Sequence, residues 1–147
     1  MNINVKRLRD GAKLPTQGSV KAAGYDLYAC GDDDYYEATL YPHETFKVGT
    51  GLAMAIPDGY FGAIFARSGL ATKQGLRPAN CVGVVDSDYR GEIIVALHND
   101  SNDPQTYRDG DRIAQLVLLP YLSAWFNEVD ELDETERGDG GFGHTGN

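Results

Sequence analysis

The sequence of 147 residues has few cysteines, no long apolar run and few basic residues. Its two cysteines, Cys30 and Cys81, lack CxxC spacing, so we expect buried, reduced thiols rather than a disulfide or a zinc site. No apolar run approaches the roughly 20 residues of a membrane-spanning helix. The N-terminus, MNINVKRLRD, lacks the apolar core of a signal peptide. These absences predict a cytoplasmic protein with no membrane partner.

Positive charge is in deficit, with 13 Lys and Arg against 22 Asp and Glu and a net charge of −9. An acidic surface of this kind argues against nucleic acid as a partner. A small polyanion remains possible as a ligand, because a few Arg side chains, backbone N–H groups and a divalent ion can make one pocket positive. The length and the hydrophobic share of 41% predict a single domain with a core of its own.

Apolar patterns of helical length are also missing. Short β-branched and aromatic segments alternate with turn signals such as Pro57–Gly59 and Asn99–Pro104, which predicts an all-β, jelly-roll-like sandwich or barrel. The predicted strands are residues 3–8, Ala23–Ala29, Glu37–Tyr41, Thr45–Thr50, Leu52–Ile56, Tyr60–Ala66, Val82–Val85, Ile93–Leu97 and Arg112–Leu122. One short helix is expected in GLATKQG, with Ser68 as N-cap and Gly75 as C-terminal stop.

The last segment differs in composition from the rest of the chain. Residues 127–147, NEVDELDETERGDGGFGHTGN, are first acidic and then rich in glycine, which predicts a flexible C-terminal arm outside a core of residues 1–126. A solvated tail without function is the simpler interpretation. Arg137, Phe142 and Thr145, spaced among glycines, favour a segment that closes over a ligand.

The most informative stretch is NCVGVVDSDYRGEIIVAL, from Asn80 to Leu97. Two apolar runs flank Asp86–Gly91, which predicts a β-hairpin. In extended backbone the carboxylates of Asp86 and Asp88 would point to one face. Taken alone, Asp-Ser-Asp is ordinary turn chemistry. With an aromatic, an Arg and two Gly beside it, the tip is suited to hold a small planar ligand.

Five stretches, in this order and spacing, resemble the five motifs of the trimeric dUTPase family (dUTP nucleotidohydrolases) from about residue 22 to residue 146. They are AGYDLYA, ARSGLA, GVVDSDYRG, GDRIAQLVL and RGDGGFGHTG. The resemblance implies a jelly-roll-like β-clip fold and a homotrimer whose active sites are built from three chains. It implies hydrolysis of dUTP to dUMP and pyrophosphate with Mg²⁺, which keeps uracil out of DNA and supplies dUMP for thymidylate synthesis.

In the first, second and fourth motifs, the resemblance assigns the phosphates and the metal. Arg67, Ser68 and Gly69 would cradle phosphate, which suits a helix start with free N–H groups beside a planar guanidinium. Gln115 would contact the phosphates through its amide. Asp26 would hold Mg²⁺ through water, which agrees with the preference of this ion to keep water ligands. Taken alone, Ser68 would be a plain cap and Asp26 a structural residue.

The third motif would bind the nucleoside and supply the base. By resemblance, Asn80 and the backbone of Gly83 and Val84 read the uracil edge, and Tyr89 packs under the deoxyribose and excludes a 2′-hydroxyl. Asp86 would orient and deprotonate the water that attacks the α-phosphorus. A carboxylate is a weak base, yet it can suffice because positioning and charge neutralisation carry most of phosphoryl-transfer catalysis. Asp88 is interpreted as structural.

The fifth motif is the arm. By resemblance, Phe142 stacks on the uracil and Arg137 reaches the γ-phosphate. The remaining arm residues, which would lie along the phosphates, are Gly141, Gly143, His144 and Thr145. Asp139 and His144 vary from the commonest form of the motif, which bears only on detail at the γ-phosphate.

Three alternatives stay open at this level. A dCTP deaminase shares this fold, but Ala96 stands where its catalytic Glu is expected. A dUTP-sensing regulatory protein could use the same fold without turnover. A structural jelly roll without ligand would leave the glycine-rich tail unexplained.

Overall fold

In the computed structural model, residues 1–31, 37–80 and 82–141 are described. Strands and one short helix alternate with turns, as the sequence predicts. The elements in chain order are β1 (Asn4–Arg7), β2 (Thr16–Gln17), β3 (Tyr25–Tyr28), β4 (Glu37–Leu40), β5 (Thr45–Gly49), β6 (Leu52–Ala55), β7 (Tyr60–Phe65), α1 (Ser68–Gln74), β8 (Leu76–Pro78), β9 (Gly83–Val85), β10 (Ile94–Asn99), β11 (Gln105–Arg108) and β12 (Arg112–Pro120).

The strands form four antiparallel sheets. The largest has the order β2-β3-β12-β7-β9, a second has the order β5-β10-β8, and β1-β6 and β11-β4 are pairs. Within the described residues these sheets do not close into a barrel. The all-β, jelly-roll-like prediction with one short helix is therefore confirmed, in its open form.

One core joins the sheets. It is built from alternate side chains of the strands, which follows from the two-residue period of β-structure. The most deeply buried apolar side chains are Leu27, Leu40, Leu52, Leu76, Ile93, Val95, Leu97 and Ile113. Cys30 is buried, as expected, and Cys81 lies outside the described residues.

The predicted hairpin at Asp86–Gly91 is wrong. Strand β9 pairs with β7, with Val84 opposite Ala63, whereas β10 pairs with β5 and β8 in another sheet. A two-stranded hairpin is favoured by a tight turn, but here a longer segment carries the chain between two layers. The local pattern marked both strands and the break correctly, but it could not identify their partners.

The break itself is a turn rather than extended backbone. Tyr89 N donates to Asp86 O at 3.2 Å, and Ser87 and Asp88 form the turn between them. The expectation that extended backbone aligns the carboxylates of Asp86 and Asp88 is therefore wrong. Both residues nevertheless line one cleft.

The helix begins one residue earlier than predicted. Its N-cap is Arg67, in extended backbone and without a capping side-chain hydrogen bond, so the prediction of Ser68 as N-cap is wrong. Gly75 is the C-cap, with φ of 69°, as predicted. Ser68 is instead the first helical residue, and its hydroxyl is not used as a cap.

The described residues contain no helix long and apolar enough to cross a membrane. The last strand ends at Pro120, and residues 122–139 are exposed throughout. The boundary between residues 126 and 127 stays a prediction.

Candidate active site

A cleft of about 710 Å³ lies where β7 leads into α1. It brings together residues of the first, second and fourth motifs: Gly24, Asp26, Arg67, Ser68, Gly69, Arg112 and Gln115. We call it the arginine cleft. The pairing of β12 with both β3 and β7 explains this grouping, because Gln115 lies opposite Asp26 on one side and Phe65 on the other.

Asp26 lies between two guanidinium groups in the arginine cleft. Its Oδ1 accepts a hydrogen bond from Arg67 Nε at 2.8 Å, and its Oδ2 accepts one from Arg112 Nη1 at 3.3 Å. The Asp26 side chain is 14% exposed, while that of Arg112 is 52% exposed. Asp26 thus fixes the orientation of both cations, and their remaining N–H groups are suited to an anion.

The start of α1 forms one wall of the arginine cleft. The first helical hydrogen bond runs from Ala71 N to Arg67 O at 3.0 Å. The N–H groups of Ser68 and Gly69 have no partner within the helix, because the first N–H groups of any helix lack one. Both residues are exposed, so these donors and the Ser68 hydroxyl face the solvent side of the cleft. This arrangement is suited to phosphate oxygens.

Gln115 is held in place within the arginine cleft. Its Nε2 donates to Ala66 O at 2.9 Å. The amide packs over Gly24 so closely that a Cβ on Gly24 would lie 3.2 Å from Gln115 Cδ and closer still to its Oε1. Gly24 was not singled out from the sequence. The glycine before a strand gave a signal of close packing, but the identity of the packed side chain depends on the β3–β12 register.

Asp86 lies in a second cleft, of about 700 Å³, which we call the aspartate cleft. It is lined by Asp58, Phe61, Val84, Asp86, Ser87, Asp88 and Tyr121. The sequence predicted Val84 and Asp86 here but missed Phe61, Asp58 and Tyr121. Pro57–Gly59 was recognised only as a turn, and its approach to Asp86 follows from the pairing of β7 with β9.

The arginine and aspartate clefts share no lining residue. Val85 pairs with Gly62, so Asp86 lies beside the start of β7, near Phe61, whereas the arginine cleft begins at Phe65 at the end of that strand. From Phe61 to Phe65 an extended strand covers about 13 Å. One chain therefore keeps Asp86 apart from Asp26, Arg67, Ser68, Gly69 and Gln115.

The other predicted residues of the third motif lie near Asp86 in the chain but do not line its cleft. Asn80 is exposed, and its Nδ2 lies 3.2 Å from the position of a Cβ on the buried Gly83. Tyr89 is 45% exposed, and its hydroxyl donates to Glu92 O at 2.9 Å.

Within the described part of the arm, Arg137 is exposed and makes local contacts. Its Nε donates to Gly140 O at 2.8 Å, and Gly140 N donates to Arg137 O at 3.2 Å. Gly141 is exposed as well. The predicted residues Phe142, Gly143, His144 and Thr145 lie outside the described residues.

Comparisons with known proteins establish the family of the chain. Residues 10–146 match the sequence profile of the dUTPase family. The chain belongs to the dUTPase family. It is 53% identical over 135 residues to the deoxyuridine 5′-triphosphate nucleotidohydrolase of Desulfitobacterium hafniense, covering 91% of this chain and 87% of the relative. It is 47% identical to that of Syntrophotalea carbinolica, covering 99% of this chain and 97% of the relative.

Solved structures give the same assignment. The fold is similar to that of a mutant dUTPase of Staphylococcus bacteriophage 80alpha with dUpNHpp, at a TM-score of 0.85 and 28% identity, covering 99% of this chain and 98% of that one. The expected family membership and the dUTPase fold are therefore confirmed.

Proposed function

We propose that this dUTPase-family chain hydrolyses dUTP to dUMP and pyrophosphate at sites formed between the subunits of a homotrimer. The observation that carries the proposal is the separation of the phosphate-binding residues from Asp86 in one chain. A base must come within about 3.2 Å of the water it activates, and that water must lie about 3–3.5 Å from phosphorus. The length of β7 between the two clefts exceeds this reach, so the arginine cleft needs Asp86 of a neighbouring subunit.

The segment just before the arm supports contact between subunits. It exposes large apolar side chains, with Leu122, Trp125 and Phe126 each at least 94% exposed. A run of this kind is unusual on a monomeric protein and is typical of a segment that packs on another chain. It leads towards Arg137, which would bring the fifth motif to a neighbouring site as the resemblance implies.

In the proposed reaction, Arg67, the hydroxyl of Ser68, the N–H group of Gly69 and the amide of Gln115 bind the phosphates. Asp86 from a second subunit accepts a proton from a water molecule, and the oxygen of that water attacks the α-phosphorus. The bond between the α-phosphorus and the bridging oxygen breaks, and pyrophosphate leaves with that oxygen. Arg67 and Arg112 balance the negative charge of the triphosphate in a molecule that is acidic overall.

The donor set fits Mg²⁺ that is bound mainly by the substrate. The described residues contain no cluster of three or more His, Cys, Asp or Glu that could hold a metal. Asp26 offers a single carboxylate whose two oxygens already accept from Arg67 and Arg112. It is therefore suited to accept hydrogen bonds from water ligands of the ion, while the triphosphate oxygens of the substrate would bind the ion directly. When bound, Mg²⁺ would neutralise charge on the triphosphate and align its phosphates.

Selectivity is proposed to come from the third motif and the arm. Asn80, Gly83 and Val84 would read the uracil edge, Tyr89 would exclude a 2′-hydroxyl, and Phe142 would stack on the base. Deamination of dCTP lacks support, because Ala96 lies in β10 opposite Lys47 and a methyl group cannot act as a base. A cytoplasmic location remains a prediction.

The experiment is a product analysis with Mg²⁺ and dUTP, dCTP, dTTP and UTP supplied separately. We expect dUMP and pyrophosphate from dUTP alone. The Asp86→Asn variant should keep the oligomer, measured by light scattering, and lose about 100-fold or more in kcat, as expected for removal of a general base. Conversion of dCTP, or tight dUTP binding without product, would contradict the proposal in favour of a deaminase or a sensor.

A further inference from the structure

Glu92, which follows the turn that carries Asp86 and Tyr89, forms an ion pair with Arg9. Arg9 Nη1 donates to Glu92 Oε2 at 3.2 Å, and Arg9 Nη2 donates to Glu92 Oε1. Gly51 N donates to the same Oε1 at 2.7 Å, and Arg9 Nη2 also donates to Cys30 O at 3.1 Å. The side chains of Arg9 and Glu92 are only 24% and 20% exposed. The ion pair therefore links four segments that are far apart in sequence, at Arg9, Cys30, Gly51 and Glu92.

The backbone of the same segment holds Tyr89. The Tyr89 hydroxyl donates to Glu92 O at 2.9 Å. The next residue, Ile93, is held through both of its backbone polar groups. Its N–H donates to Leu52 O at 2.8 Å, and its carbonyl accepts from the hydroxyl of Thr50 at 2.7 Å. The phenol ring is thus positioned by a carbonyl whose own residue is anchored through its side chain.

Two glycines leave the space that this arrangement needs. A Cβ on Gly49 would lie 2.5 Å from Arg9 Nη2 and 2.5 Å from Glu92 Oε1. A Cβ on Gly91 would lie 2.9 Å from Tyr89 Cε2, and closer to the phenol oxygen. Real Cβ atoms do not approach this closely, so a methyl group at Gly49 must displace the ion pair and one at Gly91 must displace the ring.

The ion pair does not line either cleft of the proposed active site. Arg9 and Glu92 line a separate cleft of about 300 Å³ with Cys30 and Gly49, and neither residue lines the arginine or the aspartate cleft. Direct contact with substrate phosphates is therefore not available to them within the chain. Their route to the reaction is Tyr89, through the carbonyl of Glu92.

We propose that Glu92, held by Arg9, is a positioning residue that sets the deoxyribose selectivity of the enzyme through Tyr89. The inference rests on the proposed function, in which Tyr89 contacts the sugar. The ring of a half-exposed tyrosine can rotate and shift, and its hydrogen bond to the anchored carbonyl restricts that motion. Exclusion of a 2′-hydroxyl requires that the Tyr89 ring stays in place against the sugar. A more mobile ring would admit the ribonucleotide and would also pack less well on the deoxyribose.

The test compares Glu92→Gln with the wild type by the ratio of kcat/KM for dUTP to kcat/KM for UTP. Gln keeps the shape of Glu but loses the charge that binds the guanidinium. Misplacing a substrate-positioning group by about one ångström can lower the reaction rate about 100-fold. A smaller shift of the Tyr89 ring should therefore lower the dUTP/UTP ratio about tenfold. The matched control is Glu37→Gln, which removes the exposed pair of Glu37 with Arg108 and should leave the ratio within twofold of the wild type.

A second variant leaves both charged side chains in place. Gly49→Ala should reproduce the fall in the ratio, because its methyl group displaces the pair. Arg9→Lys should have an intermediate effect, since an ammonium keeps the charge but not the two-pronged geometry. A ratio within twofold of the wild type in folded Glu92→Gln and Gly49→Ala, whatever their thermal stability, would overturn the proposal and leave the pair a purely structural feature.

A readout without substrate separates this inference from the proposed function. Amide hydrogen exchange of residues 86–91 in the ligand-free protein should quicken in Glu92→Gln and Gly49→Ala but not in Glu37→Gln. If the wild type failed to hydrolyse dUTP, the proposed function would be wrong, while the exchange data would still test the anchoring of Tyr89. Unchanged exchange across this turn would overturn the positioning role on its own.

Discussion

Mixed oligomers offer a direct test of an active site divided between chains. Asp86→Asn removes the proposed base, and Arg67→Gln removes a proposed phosphate ligand, so each variant alone should lose most of its activity. Loss of a charge-assisted hydrogen bond of about 1.5–3 kcal/mol lowers the rate roughly 10- to 100-fold. When the two variants are unfolded together and refolded in equal amounts, some sites combine an intact arginine cleft with an intact Asp86.

The recovered activity can be calculated from the symmetry. In the proposed cyclic trimer each site would take Arg67 from one chain and Asp86 from the next, and each residue would be intact with a probability of one half. About one quarter of the sites should therefore be fully active after random refolding. The measurement is the steady-state rate of dUTP hydrolysis by the refolded mixture relative to refolded wild type. The two clefts, with no shared residue and about 13 Å of strand between them, are the structural basis for this expectation.

A second mixture provides the control. The wild type refolded with the double variant Arg67→Gln/Asp86→Asn should give about one quarter of full activity if sites are shared, and about one half if each chain holds its own site. Each single variant refolded alone sets the background. A mixture of the two single variants that stays at this background would refute the shared site inferred from the two clefts.

Three further predictions follow from single contacts. Gly24→Ala should push the Gln115 amide out of the arginine cleft and raise the KM for dUTP. Its free energy of unfolding in urea should fall by about 1 kcal/mol or less, because only the end of one side chain must move. Asn99→Ala should lower the free energy of unfolding by about 2–4 kcal/mol in urea, because this fully buried amide bonds four backbone and side-chain groups. The hydrogen bond from Arg77 holds the pKa of Asp100 below 3.8, so Arg77→Gln should raise that pKa in an NMR titration. Because the pKa is depressed by folding, the stabilisation from Asp100 is present above pH 3.8 and is lost as the pH falls through its folded pKa.

Much of the fold could be predicted from local sequence, because strands and turns depend mainly on residues that are close together in the chain. Alternating apolar segments gave most strands within a residue or two, and Gly75 marked the end of α1 through the left-handed backbone that glycine tolerates. The sequence missed β2, β8 and β11, each of which has four residues or fewer and has too little periodicity to be recognised.

The pairing of strands could not be predicted in the same way. The segments flanking Asp86–Gly91 have the composition of a hairpin, yet β9 and β10 lie in different sheets. Both are buried strands, and burial by itself does not say which neighbour provides it. That choice depends on how all the layers pack together, and it places Asp86 beside Phe61 rather than beside Arg67.

For function, the residue types and their order can be read without any structure: an acidic chain with Asp26, Arg67, Asp86 and Gln115 in a pattern that resembles the dUTPase motifs. Side-chain chemistry is a property of each residue, so a pattern of residues suffices to suggest a reaction. The folded structure was needed to see which of these groups share a cleft within one chain, because β-sheet register and layer packing are cooperative properties of the whole chain. It joined Asp26, Arg67 and Gln115, kept Asp86 apart, and placed Glu92 behind Tyr89.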